Sequence, residues 1–366
     1  MRKTKKAVVG LDGFVDEIVY VVDKRFHADG YSRIKTISEY AERIAEGAGV
    51  STNVEIVSVR KKIGGNGPIF AQGLKDLGID LTYIGSIGEG RLHPVFEDFG
   101  KNAETWCLAQ PAETDAMEFE DGKIIRSKLT SLNDVRWERM VEQIGTENMA
   151  EIYDGADLIG FNNWTMIMHM NGIWEGFFRE IVPRMKSRLS EKTVFLDLAD
   201  PRKRTEEDIL EALRWIRKFS AAGFYTILGL NRKEAAEILG VIAKESGGPR
   251  ETNLKETALR IAEYLEIPCV TIHPVDRAVC CKEGSYYEEA GPYCKRPVLT
   301  TGAGDAYNAG FAYGILCGLS PTECLRFGMA ASGYYVRNGC TAAKKELREF
   351  MDRWLSGALS AEEEPE

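Results

Sequence analysis

Asp305 stands one residue past a Gly-Ala-Gly turn, in the run Thr300-Thr301-Gly302-Ala303-Gly304-Asp305-Ala306-Tyr307-Asn308-Ala309-Gly310. Gly302 and Gly304 allow backbone angles that other residues avoid, and they put no side chain in the way of a ligand. Small and apolar residues through Leu316 predict a helix that opens here. The first amides of a helix lack intrahelical acceptors and carry the positive end of its dipole. The amides of Ala303, Gly304 and Asp305 are therefore expected to cradle an anion. A carboxylate at such a cradle repels its ligand unless it does chemistry. The role inferred for Asp305 is general base, taking a proton from a hydroxyl that attacks a phosphoryl group. The plainer reading is a tight turn with a dipole-complementing Asp. Tyr307 occupies the place of the third glycine of the dinucleotide fingerprint, and no Gly-x-x-x-x-Gly-Lys-Ser/Thr occurs, so neither of those nucleotide motifs applies.

Other stretches offer chemistry of their own. Asp12 and Asp16 follow the first apolar run, on the edge where an open α/β sheet builds its site. A carboxylate that accepts from two hydroxyls suits a polyol, although loop aspartates also serve simply as turn formers. Gly64-Gly65-Asn66-Gly67-Pro68 reads as a flexible turn at a helix start. Asn231-Arg232-Lys233-Glu234 has the spacing of a capping box after an apolar strand. Thr271 and His273 end another apolar run, and Asn162 ends Leu158-Ile159-Gly160-Phe161.

The run from Thr300 to Gly310 resembles the C-terminal signature of the ribokinase-like (PfkB) carbohydrate kinases, Asp-Thr-x-Gly-Ala-Gly-Asp-x-Phe-x-x-Gly. Leu299 replaces the leading Asp and Tyr307 the Phe. The resemblance extends in motif order over 12–16, 64–68, 231–234 and 302–310. It implies a three-layer α/β/α ribokinase-like fold with a mostly parallel central sheet and a small β-sheet lid. The implied reaction is transfer of the γ-phosphoryl group of a magnesium nucleotide, ATP, to a sugar hydroxyl. In that frame Asp305 is the base and Gly302, Ala303 and Gly304 shape the anion hole. Asp12, Asp16, Gly65, Asn66 and Asn162 are substrate contacts. Asn231, Thr271, Thr301, Gly304 and Asn308 lie toward the nucleotide, and Glu234 holds Mg2+ through water. Two further departures are visible: Ile69 where many relatives carry Asn, and His273-Pro274 in a segment where relatives carry glycines. A nucleoside acceptor, or a sugar- or nucleotide-sensing relative without turnover, are the alternative functions.

These residues need a scaffold, and the chain is long enough to provide one. Its 366 residues are 44% hydrophobic, as in a globular protein with a sizeable core. A net charge of −9 argues against nucleic-acid or anionic-membrane binding. Eight cysteines without a Cys-x-x-Cys read as reduced core residues, which with the absence of a signal-peptide pattern gives a cytoplasmic expectation.

Short apolar runs alternating with amphipathic stretches predict β-α units around a parallel sheet. Strands are expected at 7–11, 17–23, 81–85, 158–161, 194–197, 226–228 and 269–272. Helices are expected over 32–46 and after Pro68, and near 173–189, 205–219, 232–240, 253–266, 304–317, 320–337 and 343–357. The alternation breaks at 104–131, where Met117 to Ile125 reads as a hairpin turning on Asp121-Gly122. The expected organisation is one kinase domain over 1–360, with a lid near 15–30 and 104–131 and a homodimer contact through it. An acidic, disordered tail is expected at 361–366.

Overall fold

The computed structural model describes residues 4–250 and 252–359, so the acidic tail lies outside the described residues. The strands in chain order are β1 Lys6–Gly10, β2 Phe14–His27, β3 Gly30–Arg33, β4 Ile56–Gly64, β5 Asp80–Gly85, β6 Ala103–Cys107 and β7 Ala112–Phe119. They continue with β8 Gly122–Lys128, β9 Leu158–Phe161, β10 Thr193–Asp197, β11 Tyr225–Leu230, β12 Cys269–Ile272, β13 Arg277–Lys282 and β14 Ser285–Ala290.

A nine-stranded sheet runs β14-β13-β12-β11-β10-β9-β1-β5-β6. From β12 to β6 every pairing is parallel, while β13 and β14 add an antiparallel edge. Parallel strands covered on both faces are apolar throughout, and alternate residues divide between two cores. Val8, Leu196, Leu228 and Val270 face one core, with the helices Glu206–Ala221, Arg232–Ser246 and Leu254–Leu265. Val9, Phe195, Ile227 and Cys269 face the other, with Asn66–Asp76, Ala303–Leu316 and Pro321–Asn338. This is the three-layer α/β/α arrangement that the motifs implied.

The second sheet is the lid. β2 pairs in parallel with β7 and antiparallel with β4 over its first half, and with β3 over its second. Period-two alternation gives the lid two faces. Val19, Val21, Met117 and Phe119 pack with Ile34 into a small core under the helix Ile37–Glu46. Asp16, Thr114, Lys62 and Lys123 point the other way, into a cavity.

The lid corrects several expectations. Its strands come from 14–33, 56–64 and 112–128, and β6 belongs to the main sheet beside β5. The helix expected from Ser32 starts at Ile37, because Gly30–Arg33 is captured by β2 and Thr36 caps the helix reciprocally with Glu39. The hairpin closes on Phe119 and Gly122, so Glu120 and Asp121 form the turn, one residue earlier than expected. β4, β13 and β14 went unpredicted. The cysteines are free, and Cys269, Cys280, Cys281 and Cys324 are buried, but Cys340 is exposed rather than core.

Gly310 has a packing reason. A Cβ there would lie 2.4 Å from the carbonyl oxygen of Phe327, on the next helix. Gly310→Ala is expected to push the two helices apart and cost about 1–3 kcal/mol, measured by urea unfolding. A stability equal to wild type would show that the contact relaxes freely.

Candidate active site

The site lies at the C-terminal ends of the central strands, where two helix N-termini meet. The helix Ala303–Leu316 starts after Gly302, whose φ of 94° is left-handed. A Cβ on Gly302 would also lie 2.6 Å from both the Tyr335 hydroxyl and the Ile69 side chain, so only glycine fits. The amide of Ala303 is given to the carbonyl of Thr300 at 3.1 Å, and Ala306 donates to Gly302. Among the described residues, the amides of Gly304 and Asp305 have no backbone acceptor. The cradle is therefore narrower than expected, two amides rather than three.

The facing helix, Asn66–Asp76, starts after Gly65, which has no side chain to cap it. Asp12 supplies the cap from a distance. Its carboxylate accepts from the Asn66 amide at 3.0 Å, the Gly67 amide at 2.8 Å and the Asn163 side chain at 2.7 Å. The Tyr83 hydroxyl donates to the Asp12 carbonyl. Asp12 is fully buried, so the expected substrate contact is in the structure a helix cap. Asn66 spans the gap, donating its side-chain amide to Asp305 Oδ1 at 2.9 Å.

Beside Asn66 lies a cavity of about 300 Å³, floored by Gly65, Asn66, Thr301 and Asn163 and roofed by the lid. Asp16 enters it from β2 with Lys62 Nζ 4.0 Å away. Burial raises the Asp16 carboxyl and lowers the Lys62 ammonium, each opposed by the other's charge. Of the two asparagines that end β9, Asn163 reaches this cavity, holding φ at 61°. Asn162 is fully buried, and among the described residues neither polar atom of its amide finds a partner.

Four carboxylates gather along this sheet edge. Burial pushes Asp12 up to about 6 against its hydrogen bonds, and burial with the Asp12 charge holds Asp197 near 6. Burial, then the neighbouring Asp197, pushes Glu234 up to about 9. Asp305 is raised well above the usual range by burial and Asp197, with Asn66 opposing. Glu234 closes a capping box with Asn231, accepting from its backbone amide at 2.8 Å and its side chain at 2.6 Å. Among the described residues no three acidic, His or Cys side chains are grouped closely enough to hold a metal ion.

Other expected contacts are placed differently. Thr271 is fully buried and shares a 2.6 Å hydrogen bond with Tyr307, a strut between β12 and the helix Ala303–Leu316. The His273 ring lies against Tyr307, tilted by 36° with centroids 4.7 Å apart, and burial lowers it to about 4. Asn308 gives its amide to Asp197 at 2.9 Å. Thr301 does line the cavity. Sequence reasoning passed over Asp197, Asn163, Lys62 and Lys123. Asp197 had a signal, because it ends an apolar strand as Asp12 follows one. The two lysines had none, since their facing depends on lid register.

A family model of prokaryotic ketohexokinases matches residues 2–354. The chain belongs to that family. It is 28% identical over 355 residues to the ketohexokinase of Haloferax volcanii, covering 96% of this chain and 92% of that one. Its fold is similar to a probable sugar kinase from Rhizobium etli, with TM-score 0.64, 18% identity and coverage of 97% and 99%. It is also similar to Arabidopsis thaliana ribokinase complexed with ribose and ATP, with TM-score 0.63, 17% identity and coverage of 95% and 99%. The protein is thus a ribokinase-like sugar kinase, a phosphotransferase acting on a carbohydrate hydroxyl. Among the described residues no helix is long and apolar enough to cross a membrane.

The kinase's acidic edge has a stability signature. An acid whose folded pKa is raised holds its full contribution below the unfolded value, near 4.5 for Glu234, and loses it as pH climbs toward about 9. Glu234→Gln removes that loss. In the ligand-free protein its thermal midpoint is expected to exceed wild type by a margin that widens from pH 5 to pH 9. A margin independent of pH would mean that Glu234 is ionised throughout.

Proposed function

We propose that this sugar kinase phosphorylates a ketohexose at the expense of ATP, with Asp305 as general base. The observation that carries the reading is the Asn66–Asp305 hydrogen bond at the cavity wall. It ties the carboxylate, beside two amides that have no backbone acceptor among the described residues, to Asn66, which lines a polyol-sized cavity. The cavity offers the polar groups a sugar needs: Asp16 and Asn163 accept and donate, and the Gly65 backbone allows close approach. The assignment of a ketohexose rests on the family and on the Haloferax volcanii relative.

In this mechanism the acceptor hydroxyl gives its proton to Asp305 as its oxygen bonds the γ-phosphorus. The bond from that phosphorus to the β–γ bridging oxygen breaks, and ADP leaves. Catalysis of this kind is mostly positioning and charge stabilisation. The Gly304 and Asp305 amides stabilise the transferring group at the helix N-terminus. The raised proton affinity of Asp305 makes it a stronger base for an alcohol.

Mg2+ fits the Glu234 end of the site. The donors there are hard oxygens, buried acids raise one another without a balancing cation, and no complete protein cage is needed by an ion that keeps waters and phosphate oxygens. Glu234, oriented by Asn231, would hold it through water. The ion, when bound, neutralises phosphate charge. Thr301, Gly304 and Asn231 face the nucleotide in this reading. Glu234→Gln is accordingly expected to raise the Mg2+ concentration needed for half-maximal rate.

The deciding experiment is a coupled assay with Mg-ATP and fructose, ribose or adenosine as acceptor. Fructose is expected to give the highest kcat/KM. Preference for adenosine would transfer the reading to a nucleoside kinase. Asp305→Asn is nearly isosteric and cannot take the proton, so kcat should fall by roughly 10²–10⁴-fold. Nucleotide affinity should hold or improve. A folded Asp305→Asn protein with kcat within a few-fold of wild type would sink the mechanism.

A further inference from the structure

Behind Asp305 lies a polar row that the mechanism above does not use. Asp197 pairs in register with Gly229 on β11, and Leu196 pairs with Phe161 on β9. Asn162, following Phe161, therefore stands beside Asp197 across the sheet. Asn162, Asp197 and Gly229 lie on one sheet face, in continuation of Gly160, Phe195 and Ile227. Asn308 covers the row from the catalytic helix. It donates to Asp197 Oδ2 at 2.9 Å, and a Cβ on Gly229 would lie 2.8 Å from its own Oδ1. The second Asp197 oxygen accepts from the Ala199 amide at 2.7 Å.

This row is a poor way to build a core. A buried carboxylate sits between two amides, and three of the amide atoms, Asn162 Oδ1 and Nδ2 and Asn308 Oδ1, have no partner among the described residues. The same sheet face one step earlier is filled by Phe195 and Ile227. Apolar residues would be the more stable choice here.

We propose that Asp197 is a positioning residue for phosphoryl transfer, holding the catalytic helix through Asn308 and presenting a second buried negative charge to the carboxylate of Asp305. Asn308 is one helical turn beyond Asp305, so the bond to Asp197 fixes the turn that carries the base. The other ionisable groups around Asp305 are Asp12 after β1, Glu234 on Arg232–Ser246, Tyr83 of β5 and Tyr335 of Pro321–Asn338. The His273 ring lies against Gly304. Among the described residues Asn308 hydrogen-bonds Asp197 and none of these groups, so Asp197 joins charge to helix anchorage. Asp197 is also the strongest of the charges acting on Asp305. Like charge disfavours the ionised form, so Asp197 keeps the base avid for its proton.

The inference rests on Asp305 being the base, and the test separates the two. Asp197→Asn retains size and an oxygen for the Ala199 amide but removes the charge, and Asn308 can turn its amide over to present its unpartnered oxygen. With Mg-ATP and fructose saturating, kcat rises with pH as the base deprotonates. Without the Asp197 charge that acid limb should move down by about one pH unit. The plateau should fall about tenfold with both KM values nearly unchanged. Asn308→Ala keeps the charge and removes the strut, so its kcat should fall with the limb in place. An Asp197→Asn limb at the wild-type pH, in a background where Asp305→Asn is inactive, overturns the proposal and leaves the base intact. Turnover retained by Asp305→Asn overturns both. If Asp197→Asn does not fold, Asn308→Ala decides alone: kcat within twofold of wild type rejects the anchoring role.

Discussion

The hydrogen bond from Asn66 to Asp305 joins residues 239 positions apart in sequence. It is the point at which the two helix N-termini of the site are held together. Each terminus is unfinished by itself. Asn66–Asp76 starts at a glycine and borrows its cap from Asp12, while Ala303–Leu316 starts at a left-handed glycine and leaves two amides without backbone acceptors among the described residues. A helix that borrows its cap is fixed to the strand that lends it, so the acceptor side of the site is tied to β1. The other helix is tied to β10 through Asn308 and Asp197. The sheet thereby sets the distance between Asp305 and the cavity, and the Asn66 amide registers the two sides.

That construction concentrates negative charge. Asp12, Asp197, Glu234 and Asp305 are each raised by burial, and neighbouring acids add to the effect for Asp197, Glu234 and Asp305. The chain spends amide and asparagine donors on these acids rather than lysine or arginine. Fixed cations would pair with the acids and quench them before the ligands arrived. Dipolar donors hold the geometry while leaving the acids' charge unpaired, as the proposed base and metal roles require.

The sequence made the core of this plan legible. The Gly-Ala-Gly turn, Asp305, the capping box at Asn231 and Glu234, and the β-α alternation are all local patterns, and local patterns survive into structure. What stayed hidden was set by long-range pairing. β4 reads as a charged, mixed segment because only one of its edges pairs, with β2, and the pocket-facing role of Lys62 follows from that register. Thr271 and Asn308 looked ligand-facing at strand end and first helical turns, yet tertiary packing turned both toward protein partners. The choice between Asn162 and Asn163 turned on one residue in left-handed conformation, which sequence does not announce.

Ile69 and Leu299, two of the departures from the family's pattern, meet in one place, beside the turn that opens Ala303–Leu316. Ile69, where many relatives carry Asn, packs with Ala306 and Tyr335, and Leu299, in place of the leading Asp, packs against the same cluster with Ala303. The Tyr335 hydroxyl donates to the Thr301 carbonyl at 3.2 Å, so this small apolar group underlies the turn itself. Ile69 is buried in this apolar cluster, so a polar residue there would lose its water without gaining a partner. Gly302 lies between Ile69 and Tyr335, so packing as well as its left-handed φ restricts the position to glycine.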